Sequence, residues 1–276
     1  MKNLEVRFWG VRGSVASGGP EFAGVGGNTS CVEVRAGDER IVLDAGTGLR
    51  ALGQTLSRPV RATFFFSHLH WDHIQGFPFF GPAYVPGNEL VLYGPGEGGA
   101  ELALALGRQM QPPSFPVPFA AMGARLELRG VAPGDVIQVG AATVRVAGLH
   151  HPQGCLGYRI ELGGESVVYA TDTEPGADGR ADPRLMQLAD GASLLIHDSQ
   201  YTADEYEGRA GPSRRGWGHT TVDVACRTAA DARVRQLALF HHDPTHDDRF
   251  VERIVSHARG IFPNVAAARE GMTVSL

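Results

Sequence analysis

The sequence lacks the features that mark several large classes of protein. It has only three cysteines in 276 residues. Because three is an odd number and Cys31, Cys155 and Cys226 have unrelated spacings, they do not suggest a disulfide scaffold and favour a reducing compartment. No apolar run is long enough to span a bilayer, and residues 1–7 contain no apolar core of a signal peptide. We therefore expect a cytoplasmic protein that makes no contact with a membrane.

Positive charge is not in excess either. Lysine and arginine total 25 against 30 aspartate and glutamate residues, which gives a net charge of −5. This balance argues against a broad surface for binding nucleic acid. It does not exclude an anionic substrate, because bound metal ions supply strong local positive charge. The hydrophobic content of 43% is sufficient for a packed core.

What the sequence does contain is a dense group of metal-ligand side chains. His68, His70, Asp72 and His73 occupy four of six consecutive positions directly after the apolar run 62–66. If the chain stays extended, His68, His70 and Asp72 point to one side, and a turn after Asp72 brings His73 to the same place. Histidine nitrogens and carboxylate oxygens are the ligands that catalytic zinc prefers. This density favours a metal site over a solvated loop, and it offers enough ligands to serve two adjacent ions.

Two metal ions need further ligands from elsewhere in the chain. Three later segments repeat the same order of apolar strand, ligand residue and turn. They end at the doublet His150-His151, at Asp172, and at the doublet His241-His242. A single histidine at a strand end is usually structural, but the three segments together with the first cluster predict one shared metal site.

Short apolar and β-branched runs alternate with helical patterns along the whole chain. Many strands with interspersed helices predict two sheets covered by helices, and no linker divides residues 1–276 into separate domains. The predicted strands cover residues 4–9, 31–35, 40–43, 62–66, 89–93, 125–129, 142–147, 156–162, 166–169, 193–196, 236–240 and 272–276. The predicted helices cover residues 49–56, 99–110, 183–189, 221–232 and 247–258.

The chain resembles the metallo-β-lactamase superfamily. The resemblance covers nearly the whole sequence and rests first on the pattern His68-x-His70-x-Asp72-His73 and its distant partners. Asp44, within residues 42–48, resembles the first motif of that superfamily. Residues 7–14 and 26–31 resemble the branch that includes class II-like cyclic-nucleotide phosphodiesterases and tRNA 3′-processing nucleases of the RNase Z kind. The resemblance implies an α/β fold, a four-layer αββα sandwich with metals at one edge of the two sheets.

The resemblance also implies a dinuclear site. The first metal is expected at His68, His70 and His151, the second at Asp72, His73 and His241, with Asp172 bridging the two. Asp44 is expected to fix the ligand loop by hydrogen bonds. In the doublet of 150 and 151, the residue before proline matches the family better. For the last ligand, His242 is an alternative to His241, because the two point in opposite directions on an extended chain.

A further pair of segments resembles the nuclease branch. Gly218-His219-Thr220-Thr221 is similar to its Gly-His-Ser-Thr motif, and residues 196–199 are similar to its His-Glu-Ala-Thr segment. The resemblance implies that Asp198 orients His219, and that His219 acts as an acid or phosphate clamp. The predicted catalytic residues are therefore Asp72, His219 and Asp198. The alternative is that His219 only belongs to a helix start.

Three further histidines and two arginines can be placed from their positions in the sequence. His197 is expected at the edge of the core, and His246 and His257 at the surface. Arg214 and Arg215 precede His219, so they either meet a phosphate or belong to a solvated loop.

These features predict a metal-dependent hydrolase. Two divalent cations, with zinc expected first and manganese or iron as alternatives, would activate a bridging hydroxide. The expected substrate is a small or cyclic phosphodiester. The alternatives are an RNA 3′-processing endonuclease, a carboxylic ester, thioester or lactone hydrolase, and a non-catalytic binding module. The acidic balance and the lack of a basic, glycine-rich arm weigh against RNA. Because members of the branch are often dimers, the resemblance also allows a homodimer.

Overall fold

The computed structural model describes residues 3–276 and contains two seven-stranded sheets. In the first sheet the strand order is β14-β1-β2-β3-β4-β5-β6. Strands β3 to β6 run parallel, whereas β1 pairs antiparallel with β2 and with β14. The strands are β1 Leu4–Gly10, β2 Cys31–Ala36, β3 Glu39–Leu43, β4 Arg61–Phe65, β5 Glu89–Pro95, β6 Arg125–Val131 and β14 Thr273–Ser275.

The second sheet has the order β13-β12-β11-β10-β9-β8-β7. Its strands β10 to β13 run parallel, and β7 to β10 form an antiparallel meander. Because β10, β11 and β12 are parallel neighbours, their carboxyl ends meet at one edge of the sheet. The strands are β7 Val136–Val139, β8 Ala142–Leu149, β9 Cys155–Leu162, β10 Glu165–Ala170, β11 Leu194–Asp198, β12 Gln236–Phe240 and β13 Val265–Ala267.

Helices cover the outer faces of both sheets. Helices α1 and α3 pack on the first sheet, and α4, α6 and α7 pack on the second. The fold is therefore the four-layer αββα sandwich that the sequence predicts. The helices are α1 Leu49–Thr55, α2 Trp71–Ile74, α3 Ala100–Gln109, α4 Pro183–Ala189, α5 Ala203–Glu207, α6 Val222–Asp231 and α7 Asp248–Arg259. Within residues 3–276, no helix has both the length and the apolar character needed to cross a membrane.

The apolar run at β4 shows how the alternation of a strand builds these layers. Phe64 and Phe66 belong to the core shared with α1 and α3, whereas Phe65 faces the interior between the two sheets. There, the Phe65 ring stacks on Tyr93 at 4.9 Å and contacts Tyr158 of the opposite sheet at 5.2 Å. Aromatic rings are thus buried on both faces of this run, and the candidate metal-ligand segment directly follows it.

All twelve predicted strands and all five predicted helices occur in the structure. Strands β7 and β13 and helices α2 and α5 are not predicted from the sequence. Each of these has three to five residues, which is too short for a periodic pattern to stand out.

Candidate metal centre

The candidate ligands converge at one edge of the two sheets. Asp172 follows β10, Asp198 ends β11 and His241 follows β12, so three adjacent parallel strands deliver them to the same place. His151 follows β8, and the segment after β4 supplies the first cluster. The repeated order of strand, ligand and turn in the sequence predicts one shared site, and in the structure these strand ends do meet at one place.

The first segment reaches the site by a different path from the expected one. The alternation was predicted to continue from His68 through Asp72, but β4 ends at Phe65 and helix α2 begins at Trp71. The prediction of an extended chain at Asp72 was therefore wrong. The amide of His73 donates to the carbonyl of His70 at 3.0 Å, so a helical turn, which satisfies these backbone groups locally, brings Asp72 and His73 inward.

Asp172 lies between two groups of histidines. Its Oδ1 is 3.6 Å from Nε2 of His68 and 3.9 Å from Nε2 of His151. Its Oδ2 is 3.3 Å from Nε2 of both His73 and His241. The two oxygens of one carboxylate thus face two different groups of imidazoles, which is the arrangement that a bridging ligand requires.

The second group is completed by Asp72. Its Oδ2 lies 3.2 Å from Nε2 of His73 and 3.3 Å from Nε2 of His241. The same oxygen accepts a hydrogen bond from the amide of Ser14 at 2.8 Å. In the first group, Nδ1 of His70 lies 3.2 Å from Nε2 of His151. All seven predicted ligands are therefore brought together, and all but the half-buried His70 are buried.

Each imidazole in the two groups has one nitrogen held by an oxygen outside the cluster. These contacts are His68 Nδ1 with Ser67 Oγ at 3.0 Å, His70 Nε2 with Gln153 Oε1 at 3.2 Å, His73 Nδ1 with Asp44 Oδ2 at 2.7 Å, His151 Nδ1 with the Gly218 carbonyl at 2.9 Å, and His241 Nδ1 with Gln200 Oε1 at 3.0 Å. Because oxygen acceptors bind the protonated nitrogen, these partners assign each tautomer and direct the lone pair of the other nitrogen into the cluster.

This arrangement fits metal ions. His70 Nδ1 and His151 Nε2 lie 3.2 Å apart, a separation that either a shared proton or a metal ion between the two nitrogens satisfies. Nε2 of His68 is buried and has no hydrogen-bond partner among residues 3–276. A buried polar atom without a partner is costly, and coordination of a metal removes that cost. Mixed imidazole and carboxylate donors suit zinc, manganese and iron.

The charges of the site act strongly on one another. Burial raises the pKa of Asp172, but the neighbouring His241, His73 and His68 outweigh it and hold that pKa well below its ordinary value. Burial lowers the pKa of His73, but Asp72, Asp172 and Asp44 outweigh it and raise that pKa well above its ordinary value. Burial, and then the charge of His73, depress the pKa of His68. A proton on His73 is thus the competitor that a cation must displace.

His219 lies beside the cluster and is held by Asp198. Its Nδ1 is 2.8 Å from Asp198 Oδ2 and 3.9 Å from Asp172 Oδ1, and its side chain is buried. Burial lowers the pKa of His219, but Asp198 and then Asp172 outweigh it and raise that pKa to about 9. An aspartate side chain is one methylene shorter than a glutamate side chain, yet Asp198 reaches His219 at the distance of an ordinary hydrogen bond.

Five residues of the site have left-handed backbone conformations, and two of them are the supporting residues Ser14 and Gln153, with φ angles of 62° and 67°. In the other three, the φ angles are 58° at Asp44, 47° at Asp172 and 59° at His241. Each costs free energy for a residue with a Cβ, on the order of 1 kcal/mol. Such conformations persist where the surrounding structure fixes them, and they cluster at functional sites.

Several supporting residues were not identified from the sequence. They are Ser14, which binds Asp72; Ser67 and Tyr169, which bind Asp44; Gln200, which binds His241; and Glu174, which binds the backbone around Trp217. Glu174 and Gln200 each lie two positions after a predicted site residue, Asp172 and Asp198. An extended chain repeats its direction every two residues, which is a signal for Gln200 after Asp198, but the positive φ of Asp172 breaks this repeat before Glu174.

The remaining histidines lie outside the cluster. His242 Nε2 contacts the carbonyl of Ala268 at 3.1 Å, and His150 Nδ1 contacts that of Glu174 at 3.1 Å. The prediction of His246 at the surface was wrong, because its ring is buried, stacks on Phe250 and contacts Glu205. His257 is exposed and His197 is buried. The three cysteines are free and buried.

The sequence is similar to those of several known proteins. Residues 39–242 match the family described as the beta-lactamase superfamily domain. A ribonuclease Z from Methanosarcina mazei is 27% identical, over 92% of this chain and 97% of its own. A ribonuclease BN from Citrobacter koseri is 27% identical, over 75% of this chain and 78% of its own.

Solved structures share the fold at lower identity. The metallo-β-lactamase fold protein YhfI from Bacillus subtilis superposes with a TM-score of 0.73 at 20% identity, over the full length of both chains. The short form of human tRNase Z superposes with a TM-score of 0.66 at 19% identity, over 98% of each chain.

Proposed function

This chain belongs to the metallo-β-lactamase superfamily, and we propose that it is a metal-dependent phosphodiesterase for small or cyclic phosphodiesters. The observation that carries the proposal is the position of Asp172, whose two oxygens face two separate groups of histidines. The superfamily and its His/Asp cluster support a metal-dependent hydrolase. The choice of a phosphodiester depends further on His219.

We assign the ligands as the geometry groups them. His68, His70 and His151 would hold one cation, Asp72, His73 and His241 the other, and Asp172 both. When bound, two divalent cations, zinc in our proposal and manganese or iron as alternatives, supply Lewis acidity toward phosphoryl oxygens and lower the pKa of an attacking water. The protein contributes a fixed set of lone pairs, because the outer hydrogen bonds hold every imidazole in one orientation.

His219 would supply the proton for the leaving oxygen. Its Nδ1–H stays with Asp198; burial lowers the pKa of the imidazole, but the charge of Asp198 raises it and so favours a proton on Nε2. As the P–O bond breaks, the alkoxide takes the proton from Nε2 and leaves a neutral imidazole, which still donates from Nδ1 to Asp198. General acid catalysis of this kind contributes roughly 100- to 10,000-fold.

A cavity of the size of a small ligand adjoins one end of the cluster, and its lining does not include His219. A cavity of about 440 Å³ opens against His68 and His70 and is also lined by Gln153 and Arg184. This volume lies within the range of pockets for small molecules, roughly 300–1,000 Å³. Arg184 is paired with Asp182 and is therefore not a dedicated anion site.

A second candidate is RNA 3′-end processing. Relatives named ribonuclease Z and ribonuclease BN, each 27% identical to this chain, favour it. The net charge of −5 weighs against it, since binding to RNA draws on many basic contacts to phosphates. Both candidates need the same metal centre and differ in the size of the substrate.

A panel of substrates tests the proposal. Bis(4-nitrophenyl) phosphate, a 2′,3′-cyclic nucleotide, 4-nitrophenyl acetate and a precursor tRNA are assayed with zinc or manganese, before and after chelation. We expect turnover of the two small phosphodiesters that chelation abolishes. The matched variants are Asp172→Asn, which should lose activity, and His257→Asn at an exposed histidine, which should retain it. Hydrolysis of the acetate alone, or cleavage of the tRNA alone, would contradict the proposed substrate.

A further inference from the structure

The segment 214–218 brings an exposed aromatic ring and a guanidinium to the border of the candidate metal centre. Trp217 is 52% exposed, although it immediately precedes the buried pair Gly218 and His219. The guanidinium carbon of Arg214 lies 4.5 Å from the centroid of the Trp217 ring and 5.9 Å from that of Tyr201. The guanidinium and the indole therefore form a stack, and about half of the indole surface is open to solvent.

The guanidinium of this stack is available to a ligand. Among residues 3–276, Arg214 makes no ion pair and its side chain makes no hydrogen bond. The adjacent Arg215 differs, because its guanidinium forms three hydrogen bonds with the carboxylate of Glu207, at 2.5, 2.7 and 3.2 Å. Of these two neighbouring arginines, Arg215 is paired with a carboxylate and Arg214 is not. The unpaired Arg214 is the one that lies over the exposed ring of Trp217.

The segment is held firmly by a buried carboxylate. Glu174 accepts hydrogen bonds from the amides of Gly216 at 2.6 Å and Gly218 at 2.9 Å, and from the hydroxyl of Tyr206 at 2.7 Å. The amide of Trp217 donates to the carbonyl of Arg214 at 3.1 Å. Hydrogen bonds to a buried charged acceptor are among the stronger ones in proteins, so the stack is presented on a fixed backbone.

The same backbone is joined to the candidate metal centre. The carbonyl of Gly218 accepts from Nδ1 of His151, and a Cβ on Gly218 would lie 2.1 Å from that nitrogen. The φ angle of Gly218 is 87°, so only glycine fits here without strain. The ring of Tyr201, which Arg214 overlies, contacts the ring of His219 at 5.9 Å. The stack therefore has a fixed position next to both His151 and His219.

We propose that Trp217 and Arg214 form a subsite that stacks on one nucleobase of a phosphodiester substrate. This inference rests on the proposed function and specifies its substrate class as esters of nucleosides. An exposed indole face binds bases of any sequence, and arginine adds a cation–π contribution and hydrogen bonds to phosphate or base edges.

The test compares substrates that differ only in a base. The first is thymidylyl-3′,5′-thymidine. The other two carry a tetrahydrofuran spacer in place of either its 5′-side or its 3′-side nucleoside, so that the scissile bond is the same in all three. For the unaltered protein, we expect that removal of one of the two bases lowers kcat/KM by about 5- to 100-fold, the range for stacking one base on an aromatic ring.

The variants show whether Trp217 is the cause. In Trp217→Ala, the dithymidine diester should lose the same factor, and removal of that base should have no further effect. Trp217→Phe keeps a ring and should restore most of the preference. Arg214→Gln should reduce kcat/KM for the dithymidine diester, whereas Arg215→Gln should leave it unchanged. Thermal unfolding of each variant checks that the fold is intact.

The result that overturns the inference is an equal loss in Trp217→Ala on substrates with and without the base, or no loss on any. If the protein hydrolyses bis(4-nitrophenyl) phosphate but cleaves the dithymidine diester and its two spacer analogues equally well, this inference alone is overturned. Hydrolysis of no phosphodiester at all would overturn the proposed function itself. The nucleoside in the subsite can belong to a small diester or to RNA. A precursor tRNA assayed with the same variants distinguishes these two sources. If Trp217→Ala impairs only the small diester, the subsite serves free nucleotides; if it also impairs the tRNA, the subsite serves RNA.

Discussion

Oδ2 of Asp44 lies 2.7 Å from Nδ1 of His73, although the two residues are 29 positions apart and neither is exposed to solvent. The same carboxylate accepts hydrogen bonds from the amide and hydroxyl of Ser67 and from the hydroxyl of Tyr169. Asp44 thus joins the start of the ligand segment, one of its histidines and a strand of the opposite sheet. It fixes the tautomer of His73 and positions its Nε2 toward Asp72 and Asp172.

Asp44→Asn should weaken metal binding without removing any ligand. The amide offers donors where His73, Ser67 and Tyr169 also donate, so the outer support of the site is lost. Loss of such support typically lowers metal affinity about 10- to 100-fold. Competition with a chromogenic chelator measures the affinity. Asp38→Asn, at an exposed aspartate, is the control and should bind like the unaltered protein; equal affinities in the two variants would refute the assigned role.

The two histidines of the doublet should behave differently when each is replaced. His241→Ala should lower the metal content from two ions per chain to about one, because Nε2 of His241 faces both Asp72 and Asp172. His242→Ala should retain two ions and lose stability by about 1–3 kcal/mol, because it leaves a space and the Ala268 carbonyl unpaired in the core. Elemental analysis and urea unfolding measure the two effects. A metal content of two ions per chain in His241→Ala would contradict this assignment and indicate His242 as the ligand.

The role of His219 predicts a dependence on the leaving group. His219→Ala should slow hydrolysis of an alkyl phosphodiester by roughly 100- to 10,000-fold. It should slow a 4-nitrophenyl diester much less, because nitrophenolate leaves without a proton. Asp198→Asn should move the alkaline limb of the kcat profile to lower pH, since Asp198 raises the pKa of His219. Equal losses on both substrates would argue for a structural role instead.

Glu205 should make stability depend on pH in the acid range. Burial raises its pKa, but hydrogen bonds from His246 and Thr202 outweigh it and lower that pKa to about 2 from an ordinary 4.5. Because the folded-state pKa is depressed, the contribution is present above about pH 4.5 and is lost as the pH falls toward 2.

Urea unfolding of Glu205→Gln across this range measures that contribution. The variant should be less stable than the unaltered protein at pH 6, and the gap should narrow as the pH approaches 3. The comparison removes the effect of protonating the other histidines, which both proteins share. Glu252→Gln, at an exposed glutamate, should show no gap at any pH. A gap for Glu205→Gln that does not change with pH would contradict the assignment.

The fold and the candidate ligands could be predicted because their signals are local. Apolar alternation marks strands such as β4, and the chemistry of His68, His70, Asp72 and His73 is visible within six positions. The helical turn at Trp71 could not be predicted in this way, since four residues carry no helical period.

Long-range partners were equally invisible to local patterns. The pairing of His246 with Glu205 joins residues 41 positions apart, and no sequence pattern beside either residue indicates it. The role of Glu174 depends on backbone amides of a loop, which every sequence possesses. Such contacts become apparent only when the sheets have brought their ends together.

The most direct test of the account is an anomalous diffraction map, recorded at the zinc edge from crystals of the protein loaded with zinc. We expect two peaks per chain, one contacted by His68, His70 and His151 and the other by Asp72, His73 and His241, with one oxygen of Asp172 toward each. A map with no peak at this edge of the sheets, or with a single peak that Asp172 does not contact, would contradict it.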